Sequence, residues 1–335
     1  VVLDEVHNVK NPNSQQSIAL RSLIADFKWG LTGTPVQNYP KEMYAISQFL
    51  DPLNFPELRT RDYDEITEQQ ISTMCKPLFI RRTKKKDDLP PKIRHEHWLT
   101  LTENQKAAYE SNFQIKRQRL IELSENGVSD LQKRKSIFGA ITNLKQLCNF
   151  DPYDFESNKI GILKELISNA IQNNEKIIVF SQFLNFGIDR INDHLRDEGI
   201  QSLLLVGNMS MTDRNENIEL FKTNDDYKLL LCSLKTAGVG LNLEEASTVI
   251  HFDHWWNPAI MWQAEDRAHR YGQTKEVNVH SFWMKNTIEE KIFKLLKSKE
   301  AMIKRVLLEM GDSIAESEID KQIGIEELMD LFDLN

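Results

Sequence analysis

Two adjacent carboxylates are the first residues along the chain whose types could carry chemistry. Asp4 and Glu5 directly follow the apolar run Val1–Leu3, which has the aliphatic character of a buried strand. In open α/β sheets, ligands bind outside the carboxyl ends of the strands. An aspartate at that place can hold Mg²⁺, and a neighbouring carboxylate can polarise a water molecule, as phosphoryl transfer requires. A solvated strand end often carries such a pair, so this pattern alone leaves both interpretations open.

Three further polar side chains recur at helical spacing: Gln263, Arg267 and Arg270. The preceding pair Asn257 and Pro258 predicts the start of a helix, because Asn caps helices and Pro fits the first helical position. Spacings of four and seven residues place the three side chains within about 60° of one helix face. Two guanidiniums and an amide suit the charge that develops on a transferring phosphate. The alternative is a solvated charged face that interacts with Glu265 and Asp266.

Two glycine-containing segments could bring the backbone close to a ligand. Gly33 lies between two threonines, whose hydroxyls can both donate and accept hydrogen bonds. Gly238 and Gly240 follow the apolar run Leu229–Cys232 and could approach a nucleotide or a nucleic-acid phosphate. The third glycine of a dinucleotide-binding fingerprint is absent there. An ordinary turn explains the second segment equally well and the first slightly better.

The strands and helices that must position these residues are predicted from the apolar pattern. Residues 1–56 contain two strand–loop–helix units, with strands at Val1–Leu3 and Trp29–Leu31 and helices near 14–26 and 40–50. Each strand is a short apolar run and each helix has helical periodicity. Two strands form only part of a sheet, so this region is predicted to be the C-terminal part of a first lobe.

Residues 156–285 predict one complete α/β lobe. Five apolar runs alternate with helix-patterned stretches: Ile177–Phe180, Ser202–Val206, Leu229–Cys232, Thr248–Phe252 and Val277–Phe282. Such runs are typical of strands buried on both faces of a parallel sheet. Between the lobes, residues 57–155 are predicted to be a mainly helical insert and linker with one extended stretch, Arg94–Leu101. Residues 286–335 are predicted to form a helical brace and an acidic tail.

The net charge of −8 is unevenly distributed along the chain. Residues 311–335 hold eight acidic residues and one lysine, which leaves the remainder near −1. Residues 76–94 hold eight Lys or Arg against two Asp, a local charge of +6. A cationic groove depends on local charge, so an acidic chain can still bind DNA. A solvated charged segment explains residues 76–94 equally well.

Three cysteines, Cys75, Cys148 and Cys232, lie far apart without CxxC pairs. This spacing argues against a disulfide scaffold or a zinc module and is typical of a reducing cytosol. No apolar run approaches the roughly 18 residues that a membrane span needs. We therefore expect a cytoplasmic protein, nucleoid-associated if bacterial, without a membrane partner.

The motifs, in this order and at this spacing, closely resemble the Swi/Snf-type ATPases of helicase superfamily two. The matching segments are DEVH (4–7), LTGTPVQN (31–38), IIVFSQF (177–183), KTAGVGLNL (235–243) and WWNPAIMWQAEDRAHRYGQ (255–273). Two further segments, LFIRRTKKKDDLPPK (78–92) and LKQLCNFDP (144–152), resemble stretches particular to this family. The resemblance covers roughly residues 1–300 and looks closer to bacterial members than to eukaryotic nucleosome remodellers.

The resemblance implies two RecA-like lobes with ATP and Mg²⁺ in the cleft and duplex DNA bound across both. By position, Asp4 would hold Mg²⁺ and Glu5 would activate water, while Arg267 and Arg270 would be arginine fingers. The other residues implied at the nucleotide are His7, Gln37, Gly238, Gly240 and Gln263, of which His7 and Gln37 would couple it to lobe closure. The implied nucleic-acid contacts are Thr34, Arg81, Arg82, Lys84, Ser181, Thr236 and Trp256.

One element of such ATPases does not occur in the sequence. The phosphate-binding loop GxxxxGK[ST] needs a Gly-Lys dipeptide, and the chain has none. We therefore expect the chain to be the C-terminal part of a longer protein and nearly inactive alone.

The leading hypothesis for the full-length protein is a DNA-dependent ATPase that translocates on duplex DNA as a remodelling or repair motor. It uses ATP and Mg²⁺, and its acidic tail could contact protein partners. The alternative is a non-catalytic DNA-binding or regulatory module derived from such a motor. A strand-separating helicase or an RNA-directed ATPase is a third option, which the family-specific segments make less favourable.

Overall fold

A computed structural model describes eight segments of the chain: residues 1–9, 14–32, 41–56, 68–80, 89–237, 241–255, 258–297 and 325–334. The chain divides into two compact units. The first is formed mainly by residues 1–83, and the second by residues 84–256 with 260–295 and 324–335. Within the eight segments, no helix has the length and apolar character needed to cross a bilayer.

The described residues of unit 1 contain a two-stranded parallel sheet and three helices. The strands are β1 (Val2–Leu3) and β2 (Trp29–Gly30), paired from Val2 with Trp29 to Leu3 with Gly30. The helices are α1 (Gln15–Arg21), α2 (Lys41–Leu50) and α3 (Glu68–Cys75), with single 3₁₀ turns at Val6–Val9 and Lys76–Leu78. Both predicted strands are confirmed. Helix α1 is shorter than predicted, because the Ser22 hydroxyl donates to the Ala19 carbonyl (2.7 Å) just beyond its end.

The core of unit 1 lies directly behind β1. Val6, Val9, Ile46 and Phe49 form one buried apolar cluster. Gly30 fits here because an added Cβ would lie 2.9 Å from Cγ1 of Val6, too close for a real contact. This packing fixes the chain immediately after the strand that carries the paired carboxylates.

Unit 2 is built on a six-stranded parallel sheet with the strand order β3-β8-β7-β4-β6-β5. The strands are β3 (Lys92–Leu99), β4 (Lys176–Ser181), β5 (Leu203–Leu205), β6 (Leu229–Ser233), β7 (Ala246–His251) and β8 (Val277–Met284). Successive residues of β4 and β6 belong to two different apolar clusters. Both faces of the sheet are therefore buried, as expected for parallel strands.

Nine helices of unit 2 lie in the described segments. They are α4 (Glu103–Glu125), α5 (Asp130–Asn149), α6 (Asn158–Gln172), α7 (Arg190–Asp197), α8 (Met211–Thr223), α9 (Leu234–Ala237), α10 (Pro258–Glu265), α11 (through 288–297) and α12 (Ile325–Asp330). A wide helical turn, Leu184–Asp189, precedes α7. Helix α4 begins with a capping box, in which Thr102 and Gln105 satisfy each other's backbone amides. The long helices α4 and α5 confirm the mainly helical character predicted for this part of residues 57–155.

The five strands predicted in unit 2 are all confirmed, each within two residues at either end. The sheet nevertheless has a sixth strand. The stretch predicted as extended at Arg94–Leu101 is β3, paired in parallel with β8 from Lys92 opposite Val277 to Leu99 opposite Met284. It lies within 57–155, the range predicted as insert and linker. Its alternating charges are typical of an edge strand, and local periodicity does not indicate which sheet such a strand joins.

A buried ammonium group ties the helices to the carboxyl edge of the sheet. Lys159 Nζ of α6 lies 2.9 Å from Glu289 Oε1 and donates to Asn149 Oδ1 (3.0 Å) and to the Phe252 carbonyl (3.1 Å). Both members of the ion pair are almost completely buried. Since buried charges are tolerated only when paired and hydrogen-bonded, this contact specifies how α5, α6 and α11 meet at the end of β7.

Gly187 gives a first test of the packing at that edge. Alanine there would place Cβ 2.2 Å from the Ser181 Oγ, so Gly187→Ala should lower the free energy of unfolding by about 1–3 kcal/mol. The matched control is Gly161→Ala within α6, where an added Cβ meets nothing within 4 Å. It should raise stability by up to about 1 kcal/mol. Urea unfolding of both variants measures the difference, and equal effects would contradict the packing.

Candidate functional site

The paired carboxylates lie where the sequence predicts, at the carboxyl end of β1. Asp4 is exposed and Glu5 half-buried. The Glu5 amide donates to Asp4 Oδ1 (2.9 Å), and the backbone bonds from Leu31 to Leu3 (2.8 Å) and from Val6 to Leu31 (2.9 Å) hold both flanks against β2. Glu5 has a φ of 51°, a left-handed conformation that is uncommon outside glycine and concentrates at functional sites.

The donor chemistry at this strand end fits Mg²⁺. A hard cation prefers carboxylate oxygens, and Mg²⁺ is usually held by one or two carboxylates together with substrate phosphates and water. Asp4 presents such an exposed carboxylate. Among the described residues no group of three or more His, Cys, Asp or Glu could hold a metal ion by itself. His7 lies in the turn Val6–Val9 that follows.

The arginines of unit 2 are not on the helix that the sequence predicts. Helix α10 begins at Pro258, as predicted, but ends at Glu265. The prediction that one helix face carries Gln263, Arg267 and Arg270 is therefore wrong. The physical reason is that the backbone hydrogen bonds change after Ala264 from the α-helical to the 3₁₀ pattern. The Arg267 amide donates to the Ala264 carbonyl (3.2 Å) and the Ala268 amide to the Glu265 carbonyl (3.0 Å), each spanning three residues instead of four.

Residues 266–270 form what we call the arginine turn, and the segment 241–246 holds one side of it. The Leu243 amide donates to the Arg267 carbonyl (2.9 Å). Arg270 Nη1 donates to the Leu241 carbonyl (3.2 Å) and contacts the Asn242 side chain. Beyond the turn, Gln273 Nε2 donates to the Ala246 carbonyl (2.8 Å). Leu241 and Arg270, which are 29 residues apart in sequence, are thus brought together.

The other side of the arginine turn is held by a buried carboxylate. Glu265 is 1 % exposed, and Arg94 of β3 binds it with two parallel bonds, Nη1 to Oε1 (2.8 Å) and Nη2 to Oε2 (2.6 Å). Lys92 Nζ reaches the same carboxylate (3.1 Å), and His251 Nε2 lies 3.4 Å from Oε1. Lys92 also contacts Asp266 Oδ1 (3.3 Å). We call Glu265, Lys92, Arg94 and His251 the Glu265 cluster.

The cluster keeps Glu265 ionised. Burial raises the pKa of the Glu265 carboxyl, but the contacts with His251, Lys92 and Arg94 outweigh burial and lower that pKa to about 2. Lys92 and Arg94, two basic residues of the segment 76–94, are therefore paired with a buried carboxylate within unit 2.

Ser181, a predicted nucleic-acid contact, lies in a second polar arrangement at the end of β4. Its hydroxyl donates to the buried carboxylate of Asp253, which also accepts from the Gln182 amide (2.9 Å) and from Asn149 Nδ2 (3.0 Å). Nearby, Lys145 donates to the His254 carbonyl, and burial lowers the pKa of Lys145 to about 8 against the opposing charges of Asp253 and Glu289. The Ser181 hydroxyl is used within the protein, so its contact with nucleic acid stays a prediction.

Thr236, another predicted nucleic-acid contact, is also turned inward. It is 4 % exposed, and its hydroxyl oxygen lies 2.8 Å from the Leu205 carbonyl and 2.7 Å from the Ser233 carbonyl, so its single proton is donated within the protein. Its predicted role is likewise untested. Eight further predicted site residues lie outside the described residues: Thr34, Gln37, Arg81, Arg82, Lys84, Gly238, Gly240 and Trp256.

The residues that sequence reasoning missed are the ones that hold the arginine turn. The sequence indicates Glu265 only as a surface partner of the arginines, and Lys92 and Arg94 only as part of a basic segment. Their alternation did contain a signal, because residues two apart in a strand share a face. Two cations on one face of a strand can share a carboxylate partner or face solvent, and the sequence does not distinguish these because the partner is 171 residues away from Arg94.

Two protein families match the chain over most of its length. The SNF2-related domain matches residues 1–153 and the helicase conserved C-terminal domain matches residues 158–272. An uncharacterised ATP-dependent helicase of Mycoplasma genitalium is 33 % identical over 99 % of this chain and 32 % of its own length. A protein of Bacillus subtilis named as a candidate ATP-dependent helicase/translocase is 31 % identical over 100 % of the chain and 38 % of its own length.

A solved structure is similar over the whole chain. The SWI2/SNF2 ATPase core of Sulfolobus solfataricus in complex with double-stranded DNA is 29 % identical, covers 100 % of this chain and 72 % of that one, and has a TM-score of 0.57. The fold predicted from the sequence, with a RecA-like second lobe, is thereby confirmed. The chain spans about a third of the length of the curated relatives that it matches.

The Glu265 cluster predicts a specific pH dependence of stability. The lowered pKa of Glu265 means that its stabilising contribution is present above about pH 4.5 and is lost as the pH falls towards 2. At about 1.4 kcal/mol per pKa unit, the contribution is roughly 3 kcal/mol. The destabilisation caused by Glu265→Gln should therefore shrink between pH 6 and about pH 3, measured by urea unfolding at each pH.

Glu125→Gln, at the exposed end of α4, controls for the loss of one negative charge. A destabilisation by Glu265→Gln that stays constant across this pH range would contradict the buried ionised carboxylate.

Proposed function

The chain belongs to the SNF2-related family, and from that premise we propose that it is part of an ATP-hydrolysing motor that translocates on duplex DNA. The activity is proposed for the full-length protein, because the chain covers only about a third of its curated relatives and contains no Gly-Lys phosphate loop. ATP is the proposed nucleotide and Mg²⁺ the proposed metal. Duplex DNA is the proposed track, and protein partners are proposed for the acidic tail.

The arginine turn is the observation that carries the proposal. Arg267 and Arg270 are half-buried and lie in a turn that is hydrogen-bonded to residues 241–243 on one side and ion-paired to β3 through Glu265 on the other. Fixed guanidiniums of this kind stabilise the charge that spreads over a transferring phosphoryl group. Because the turn is held before any ligand binds, little reorganisation is needed during the reaction.

Asp4 and Glu5 are proposed to act at the metal and at the attacking water. Bound Mg²⁺ would neutralise charge on the phosphates, and Asp4 is the carboxylate of this chain that would hold it. Glu5 would accept hydrogen-bond donation from the attacking water and orient it. Its left-handed backbone conformation and the bonds that fix both flanks of the pair to β2 set the direction of its side chain.

Binding of duplex DNA is supported by similarity. The Sulfolobus ATPase core that resembles this chain over its whole length was solved with double-stranded DNA. Alternate gripping of backbone phosphates by two lobes would convert nucleotide turnover into stepping. The competing proposal is a module that binds DNA without hydrolysis, and nucleotide turnover discriminates between the two.

Arg270→Ala tests the role of the arginine turn. Removing an arginine finger should lower the turnover number for ATP by about 10³-fold or more, with a much smaller effect on nucleotide affinity. Arg270→Lys should also be strongly impaired, because an ammonium cannot replace the planar fork. Steady-state hydrolysis by the full-length protein measures both. Arg119→Ala on the exposed surface of α4 is the matched control and should be unaffected, and unchanged turnover in Arg270→Ala would remove the proposed role.

Translocation is tested separately from hydrolysis. Duplex DNA should raise the turnover number of the full-length protein, and ATP should drive displacement of a third strand from a triplex. Arg270→Ala should abolish displacement while retaining DNA binding, because it alters the chemical step and not the grip on phosphates. DNA binding without any stimulated turnover would instead favour the non-catalytic module, and stimulation by RNA alone would favour an RNA-directed ATPase.

A further inference from the structure

The edge strand β3 and the arginine turn are joined by an unusual concentration of polar contacts within unit 2. Arg94 and Lys92 bind Glu265, and Lys92 also reaches Asp266 Oδ1 (3.3 Å). Just before the strand, the Pro90 carbonyl lies 2.8 Å from His269 Nε2. Glu265, Asp266 and His269 therefore each contact the segment 90–94.

Glu265 holds the turn with its backbone as well as with its side chain. Its carbonyl accepts from the amides of Ala268 (3.0 Å) and His269 (2.9 Å). The same residue thus ends helix α10, carries the hydrogen bonds of the turn and places its carboxylate in the buried cluster. A shift of its side chain would move the carbonyl on which the turn is built.

The turn has little freedom on its opposite side. The Arg267 carbonyl is fixed by the Leu243 amide (2.9 Å) and the Arg270 guanidinium by the Leu241 carbonyl (3.2 Å). The two arginines are therefore held between β3 and the segment 241–243. Catalytic groups must lie close to the productive geometry, since a misplacement of about 1 Å can cost about 10²-fold in rate.

We propose that Glu265, clamped by Arg94 of β3, is a positioning residue that sets the conformation of the arginine turn and thereby aligns Arg267 and Arg270 with the reacting phosphate. This inference rests on the proposed function. Its central contact is the forked pair between Arg94 and Glu265, which is geometrically more specific than a single ammonium contact. Lys92 neutralises the same carboxylate and extends the attachment to Asp266.

Arg94→Gln is the discriminating variant, because Arg94 is 46 % exposed and Glu265 only 1 %. The fork is lost, while Lys92 remains as a counter-ion for the buried carboxylate. In the full-length protein we expect a fall of about 10- to 100-fold in kcat for ATP, with KM changed by less than about 3-fold. Lys164→Gln, which removes an ion pair with Glu198 between α6 and the end of α7, is the matched control and should leave both constants unchanged.

A double-mutant cycle separates positioning from general destabilisation. If Arg94 acts through the arginine turn, Arg94→Gln added to a variant that carries both Arg267→Ala and Arg270→Ala should lower kcat by less than about 2-fold further. A merely structural role would multiply the two losses. Full multiplication, or an Arg94→Gln variant with unchanged kcat, would overturn the positioning role. Unchanged turnover in Arg270→Ala alone would instead remove the proposed function.

Amide hydrogen exchange gives a readout that does not depend on activity. In Arg94→Gln the amides of Ala268 and His269, which donate to the Glu265 carbonyl, should exchange at least about 10-fold faster. The amides of β6 in the centre of the sheet should keep their protection, because they belong to the stable core. Unchanged exchange at Ala268 and His269 would show that the clamp does not set the turn and would overturn the inference.

Discussion

The ion pair between Glu265 and Arg94 is the interaction on which the arginine end of unit 2 depends. A carboxylate that is 1 % exposed is tolerable only with a paired charge and good hydrogen-bond geometry. Lys92 and Arg94 of β3 meet that requirement. They thereby join the edge strand to the arginine turn, which is distant in sequence. The conformation of Arg267 and Arg270 is thus a consequence of how a buried charge is satisfied.

The same principle organises the carboxyl edge of the sheet. Lys159 with Glu289 and Asp253 with Ser181 place further buried polar groups where strands end and helices begin. The sheet interior is apolar and supplies most of the burial, whereas these pairs determine which loop lies beside which strand. A ligand site at this edge requires such specificity, because the loops carry the groups that meet the ligand.

The sequence predicts well the elements whose formation follows from the pattern of neighbouring residues in the chain. The strands of unit 2 are short aliphatic runs because both faces are buried, and a carboxylate pair after β1 is placed by the general rule for strand ends. The local pattern does not predict the register of β3 beside β8. It also does not predict the ion pair between Arg94 of β3 and Glu265. The predicted helix through Arg270 is wrong because tertiary contacts end α10 at Glu265, although the helical spacing of polar residues continues. The hydroxyls of Ser181 and Thr236 match family motifs, yet the motif does not reveal that both donate within the protein.

The most direct test of the account is how strongly the full-length protein binds ADP with aluminium fluoride, a planar mimic of the transferring phosphoryl group, relative to ADP alone. A protein whose arginine turn acts on developing charge binds the mimic much more tightly than the product. Replacing both Arg267 and Arg270 by alanine should weaken binding of the mimic at least about 100-fold and change the affinity for ADP by less than about 3-fold. Equal weakening of both ligands, or no weakening of either, would contradict the account.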